Sequence, residues 1–341
     1  MRRILVHGYL GGRNFGDDLM LLGFLNRHVR NGDLVAIITP DGMRPGHLDG
    51  RVNRVYPKSV RGFLAGLRWA TDFVLCGGTV FHDAYPPERH RRYRKNLVAV
   101  AGLLRFARLA GRKVHLPGIG LGPLRRPLTR AMARLALGSA VHVGLRDERS
   151  LADAAVIGFA GRADYEPDLS QAAGLQRAAG PRSGLVLSLI APSLISTTDA
   201  ATADSFYAGL ADALAEWHLA TGEPVTLLII CVGQADSDVA FGAQFQHMAA
   251  DAGLTDITLC VYDGNPFAMA ARIGKARAMI AMRFHAANVA EDFDTPTFWL
   301  AYQRKVMDGA AERGVGPERI GIPNSAGLAG ITAWLAGFHK A

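Results

Sequence analysis

Three segments of this chain set a charged side chain directly behind a run of apolar, strand-like residues. In the first, Ala278-Met279-Ile280-Ala281 leads into Met282-Arg283-Phe284-His285, after which helical spacing begins. Arg283 and His285 then lie where a strand ends and a helix starts, a place where an anion can be held and a proton delivered beside it; a structural histidine is the plainer alternative. In the second, Arg146-Asp147 follows Val141 to Leu145. That guanidinium can fork onto a carboxylate or phosphate, or pair with a neighbouring acid such as Asp147. In the third, Lys305 follows the apolar Thr297 to Leu300, either on the same rim as His285 or as an ordinary solvated lysine.

Three glycine-rich segments also follow apolar runs. Gly8-Tyr9-Leu10-Gly11-Gly12-Arg13-Asn14 precedes Gly16-Asp17-Asp18 and a helix. Asp17 and Asp18 read as helix caps and dipole partners, or as general bases or ligands of a sugar hydroxyl. The spacing fits neither GxGxxG nor the P-loop, so a dinucleotide or Walker-type site is not expected. Gly77-Gly78 follows Cys76 and runs on to Asp83, a local cap or a second polar ligand. A turn through Gly118, Gly120 and Gly122 follows the run at 114. Together they predict a cleft lined with backbone donors, with Gly11, Asn14, Gly78, Asp83 and Gly120 binding substrate.

The elements that must position these residues follow from alternation of short Val/Ile/Leu runs with helix-period segments, the mark of βαβ units and parallel sheets. Strands are expected at 4–7, 34–38, 73–76, 114–117 and 141–144, with helices near 17–30, 60–70, 87–110, 127–138 and 147–158. The Ala/Gln/Gly/Arg-rich stretch 170–183 breaks the pattern, which resumes with strands near 185–190, 225–231, 257–262, 278–281 and 296–300. The fold expected is α/β, two Rossmann-like domains (1–175 and 183–324) whose parallel sheets face across a cleft. A C-terminal helix in 325–341 could fold back across it. Ligands in such sheets lie beyond the carboxyl ends of the strands.

With 341 residues, 49% hydrophobic, the chain exceeds the size at which single cores stop growing. No apolar run approaches a membrane span, and Met1-Arg2-Arg3 enters a strand without a signal-peptide core, so a cytoplasmic location is expected. Three distant cysteines, Cys76, Cys231 and Cys260, suggest neither a disulfide framework nor a metal site. The net charge of +8 favours anionic partners. Glu88-Arg89-His90-Arg91-Arg92-Tyr93-Arg94-Lys95 precedes an apolar helix; it reads as a solvated helix end, as a peripheral contact with an anionic bilayer, or, lacking any recognised motif, least well as a nucleic-acid surface.

Taken in order, GYLGGRNFGDDL, CGGTVFHD, PGIGLGP, LRDERS, EPDLS, AMRFHAANVA and AYQRKV resemble the polysaccharide pyruvyl transferase family over residues 4 to 310. The resemblance implies two Rossmann-like domains arranged as in GT-B glycosyltransferases, an N-terminal acceptor side and a C-terminal donor side. It also implies transfer of a pyruvyl group from phosphoenolpyruvate to a sugar or lipid-linked oligosaccharide as a cyclic ketal, with no cofactor and no metal. Arg146, Arg283, His285 and Lys305 match the family's donor-site positions, with His285 expected to handle the proton and Asp17, Asp18 or Asp83 to take hydroxyl protons. One departure stands out: where relatives often read Ser-Leu-Arg after the first strand of the second domain, this chain reads Ser188-Leu189-Ile190. A nucleotide-sugar glycosyltransferase and a non-catalytic glycan-binding relative are the alternatives.

Overall fold

The computed structural model describes residues 1–83, 90–233 and 237–338. The chain divides into two compact units, Met1–Gly174 and Leu175–Ala341.

In the first unit the chain runs β1 (Arg3–His7), α1 (Phe15–His28), β2 (Leu34–Thr39), β3 (Arg54–Pro57), α2 (Val60–Trp69), β4 (Asp72–Leu75), β5 (Thr79–Phe81), α3 (His90–Leu109), β6 (Lys113–Leu121), α4 (Pro127–Ser139), β7 (His142–Leu145), α5 (Glu148–Val156) and β8 (Asp164–Tyr165). The sheet order is β3-β2-β1-β4-β6-β7-β8, with β5 on β6, and the pairings are parallel. Because β2 and β3 extend one way from β1 and β4 the other, the order reverses between β1 and β4, where such sheets leave a crevice at the strand ends. Phe63 and Leu67 of α2, Leu97 and Leu104 of α3, Ala133 and Leu137 of α4 and Ala154 of α5 share one core with Leu5, Phe73 and Val114. These four helices therefore cover one face of the sheet.

Several expectations change here. Helix α1 starts at Phe15, earlier than expected, because the Asn14 side chain accepts the Gly16 N–H at 3.0 Å and caps it. Asp17 and Asp18 thus belong to the first turn, where they complement the helix dipole; neither is the cap. The segment Gly118-Ile119-Gly120 is no turn: β6 runs through it to Leu121, its register on β7 shifting between Leu116 and Ile119. Residues 87–89 of the expected third helix lie outside the described residues.

The second unit runs β9 (Leu185–Ser188), α6 (Ala200–Thr221), β10 (Val225–Ile229), α7 (Val239–Asp251), β11 (Thr258–Val261), α8 (Pro266–Lys275), β12 (Ala278–Ala281), α9 (Phe284–Asp292), β13 (Thr297–Leu300), α10 (Arg304–Glu312), β14 (Ile320–Gly321) and α11 (Ser325–Ala336). Its parallel sheet has the order β11-β10-β9-β12-β13-β14, so the reversal falls between β9 and β12. Helix α6 is bounded by Asp199, which accepts the Thr202 N–H at 2.8 Å, and by Gly222 at φ 67°. It buries Phe206, Tyr207, Leu210, Leu214 and Trp217, and Tyr207 stacks obliquely on Phe241 of α7 at 4.7 Å. Helix α11 lies on α6, β13 and β14 of its own unit, with Leu328 occupying the space a side chain at Gly209 would need.

Candidate functional site

Ser188 and Ala281 are register partners at the ends of β9 and β12, so Met282-Arg283-Phe284-His285 emerges at the reversal point of the second sheet. From there the Arg283 side chain reaches Asp238, which follows β10. Its Nε lies 3.2 Å from Asp238 Oδ2, and its Nη2 donates to Oδ1. Asp238 is 1% exposed and also accepts the Cys231 N–H at 3.2 Å. Burial works against the Arg283 charge, but Asp238, helped by Tyr302, more than offsets it and holds the guanidinium above its usual range.

His285 is half-buried in the first turn of α9. Its ring is 5.4 Å from that of Phe284, which packs edge-on to Trp299 and against Gly309. One strand over, Tyr302 follows β13, and the Lys305 ammonium lies 5.5 Å from its ring centre. Among the described residues no carboxylate pairs with Lys305. Tyr302 acts on Arg283 as well and so links Arg283 to Lys305, while His285 is two residues on from Arg283 in the first turn of α9.

The two helices that start in this cluster differ from α6, α8 and α11. Those three are capped by Asp199, Asn265 and Asn324. At α9 and α10 the N-cap residues are Arg283 and Gln303, and neither side chain caps. First-turn N–H groups left by the N-cap side chain suit an anion. The loop after β9 is tied down nearby, with the Ser196 N–H on the Tyr302 carbonyl at 2.9 Å and the Thr197 hydroxyl on that of Ala301 at 3.0 Å. Ser188 is fully buried, its Oγ without a hydrogen-bond partner. Ile190 is fully buried too, and its carbonyl accepts the Tyr207 hydroxyl at 2.6 Å.

In the first unit, Arg146 directly follows β7 and is only 8% exposed. Its Nε donates to Asp147 Oδ2 at 3.0 Å and its Nη1 to Asp168 Oδ2 at 3.5 Å. The neighbouring acid does pair with it, as one of the two readings had it, and a second acid joins. Gly120 makes the arrangement fit, because a Cβ there would stand 2.8 Å from Arg146 Nε and 2.6 Å from Thr79 Oγ1. Asp17 and Asp168 lie near Cys76, whose thiol is pushed up by burial first and then by these two carboxylates.

The expected lining of backbone donors changes in character. The Gly120 N–H bonds the Gly78 carbonyl at 3.1 Å and the Gly122 N–H that of Phe81 at 2.9 Å, while the Gly78 N–H meets Met20 Sδ at 3.1 Å. These donors hold the unit together. Gly11, at φ 72°, brings its loop within 2.9 Å of Thr39 at the end of β2, measured to where its Cβ would be. Asp83 takes the Arg126 N–H at 2.8 Å and the Thr129 hydroxyl at 2.5 Å; it ties down the start of α4.

Sequence reasoning passed over His7. It ends β1, 9% exposed, with Nδ1 buried and without a hydrogen-bond partner. Burial, then the nearby Lys58 charge, lowers its pKa to about 4, so the ring is neutral at pH 7. A lone polar residue closing the run Ile4-Leu5-Val6 immediately before glycine was the available signal. Asp168 and Asp238, the partners of the two arginines, were passed over as well.

Across solved structures the fold is shared with sugar-nucleotide enzymes. The MnaA protein of S. aureus with UDP matches at a TM-score of 0.63 and 8% identity, over 98% of this chain and 88% of that one. The UDP-GlcNAc 2-epimerase of Neisseria meningitidis bound to UDP-GlcNAc matches at 0.58 and 11%, over 99% and 92%. The E. coli ADP-heptose LPS heptosyltransferase II matches at 0.51 and 11%, over 99% and 100%. Two parallel-sheet α/β domains of the GT-B-like class are thereby defined. No curated protein matches the sequence. The family model for polysaccharide pyruvyl transferase matches residues 14–304, and the chain belongs to that family of transferases.

Proposed function

We propose that the protein transfers the pyruvyl group of phosphoenolpyruvate to a sugar of a bacterial exopolysaccharide or cell-wall glycan precursor, forming a cyclic ketal. The observation that carries this reading, beside family membership, is the pair of helix starts at the ends of β12 and β13. Neither α9 nor α10 is capped by its N-cap side chain, and their first turns carry His285 and Lys305. A donor with a carboxylate and a phosphate has two anionic groups to place, and two adjacent helix starts suit both.

In this mechanism His285 gives a proton to the methylene carbon, which makes C2 electrophilic. A sugar hydroxyl adds to C2, the C2–O bond to phosphate breaks with its electron pair leaving on phosphate, and a second hydroxyl closes the ketal. Of the two hydroxyl protons, one restores His285 and the other leaves with phosphate. Lys305 and Arg283 stabilise the departing phosphate.

The test is to incubate the protein with phosphoenolpyruvate and a defined glycan acceptor, following phosphate release and a pyruvyl-sized mass increment. His285→Ala is expected to keep the thermal shift caused by phosphoenolpyruvate and to lose turnover. Normal turnover in that variant removes His285 from the mechanism, and nucleotide release from a sugar nucleotide in place of phosphate release overturns the reading.

A further inference from the structure

The outer surface of the first unit carries a feature that the proposed chemistry does not use. Helices α2, α3 and α4 lie side by side over one face of the sheet, and their sequences hold ten Arg or Lys and no Asp or Glu. The field ends at α5, which brings Glu148 and Asp153. A preference for arginine over lysine in this chain can reflect genome composition, but that bias does not remove acids, which number 30 elsewhere in the sequence.

The same surface also exposes large apolar side chains. Helix α3 turns Leu97, Ala101, Leu104 and Ala107 to the core, and its opposite side presents Arg91, Lys95 and Arg105 together with Val98, Phe106 and Leu109. Leu109 is 70% exposed. Helix α2 continues the patch with Val60, 77% exposed, and Leu64 one turn on; Phe63 and Phe106 join the two helices, ring centres 6.4 Å apart. Large apolar side chains set among cations, on helices that carry no acid, match an interface between acyl chains and anionic headgroups.

We propose that the outer face of α2 and α3, extended by α4, docks the protein onto an anionic lipid bilayer. Two other partners fit less well. A second copy would set two acid-free cationic faces against each other, and a nucleic-acid backbone gives Val60 and Leu109 nothing to bury against. Among the described residues no helix is long and apolar enough to cross a membrane, so the attachment is peripheral. Docking here would keep the enzyme at the surface where a lipid-linked acceptor resides, but it does not depend on the donor chemistry and its test reads no turnover.

The test is flotation of the full chain with phosphatidylcholine vesicles, with and without phosphatidylglycerol. Binding is expected only with the anionic lipid and is expected to weaken with salt. Replacing Arg91, Lys95 and Arg105 together by Ala lowers the partition coefficient about a hundredfold, from about 1 kcal/mol per cation near such a surface. Phe106→Ser with Leu109→Ser lowers it as well, while Arg272→Ala with Lys275→Ala on α8 leaves it unchanged; circular dichroism checks that each variant is folded. Equal binding to neutral vesicles, no vesicle binding, or loss in the α8 control to the same extent overturns the proposal. So does light scattering that shows the face buried in a dimer, or binding of duplex DNA by a protein that ignores vesicles.

Discussion

Asp238→Ala tests how the second-unit cluster is held together. The Asp238 carboxylate is 1% exposed and takes both Nε and Nη2 of Arg283. Two unit charges about 4 Å apart at an effective dielectric of about 20 attract by about 4 kcal/mol, and removing one partner of a buried pair costs about 3–5 kcal/mol because the other charge is left uncompensated. The Cys231 N–H, 3.2 Å from the same carboxylate, loses its acceptor too, at about 1 kcal/mol. For a unit of this size, each kcal/mol lowers Tm by about 2–4 °C, so the melting transition of Leu175–Ala341 is expected to fall by about 6–20 °C. The assay is calorimetry at pH 7 with urea unfolding alongside, completed by Arg283→Met and the double variant. The double variant is expected to recover most of the loss, which yields the coupling energy directly. If Asp238→Ala stays within about 0.5 kcal/mol of the parent, the pair does not hold the cluster. If phosphoenolpyruvate stabilises the variant no more than the parent, Arg283 does not reach the bound anion.

His7 predicts an acid-sensitive first unit. Its folded pKa of about 4 lies below the ordinary 6.5, so the unfolded chain binds the proton first; the stability tied to the neutral ring is complete above about pH 6.5 and is lost as pH falls toward 4. His7→Phe is expected to flatten that part of the urea midpoint against pH, and an unchanged slope refutes it. Gly120→Ala forces Arg146 and Thr79 away from the β6 backbone and is expected to cost about 1–3 kcal/mol and to loosen the Arg146–Asp168 contact; parent-like stability shows that the neighbours yield freely. Asp83→Ala removes two bonds from the start of α4 and is expected to lower stability by about 1–2 kcal/mol, with turnover of the folded fraction retained. Loss of turnover at full stability would return Asp83 to the active site.

The strands that dominate both sheets were legible because they are short Val/Ile/Leu runs buried on both faces, as in Ile4 to Val6 and Ala278 to Ala281. Strands β3, β5, β8 and β14 were not. Arg54–Pro57 has no fully buried residue, Thr79–Phe81 lies within a glycine-rich segment, and Asp164–Tyr165 and Ile320–Gly321 pair over two residues each. Backbone pairing at the margin of a sheet leaves no apolar period to read. The glycines of β6 misled in the opposite direction: they signal a turn locally, yet the strand absorbs them through a shift in register. Arg146, Arg283, His285 and Lys305 could be placed at strand ends because each follows an apolar run. Their partners could not, since Asp168 is 22 residues from Arg146 and Asp238 is 45 from Arg283, and only the sheet order brings them together.

These partners also bear on the altered position after β9. Were Ile190 a surface residue, an arginine could occupy its place with little consequence. It is instead fully buried, with its carbonyl bonded to a tyrosine hydroxyl that belongs to the α6 core. The end of β9 therefore brings no cation to the second-unit cluster, and an arginine there would need Tyr207 and the packing around it to move. Arg283 is shared with Asp238, whereas among the described residues no carboxylate pairs with Lys305. On the proposed reading, charge compensation for the donor beyond that shared Arg283 falls on Lys305 and on the N-terminal turns of α9 and α10. Helix-terminal interactions contribute about 0.3–1 kcal/mol each, up to about 2 when partly buried. Lys305→Met is thus expected to weaken the donor more in this protein than in a relative that keeps the extra arginine, and the ratio of phosphoenolpyruvate affinities in the two backgrounds measures it. Equal losses would mean that this site does not compensate for a missing cation in the way its geometry implies.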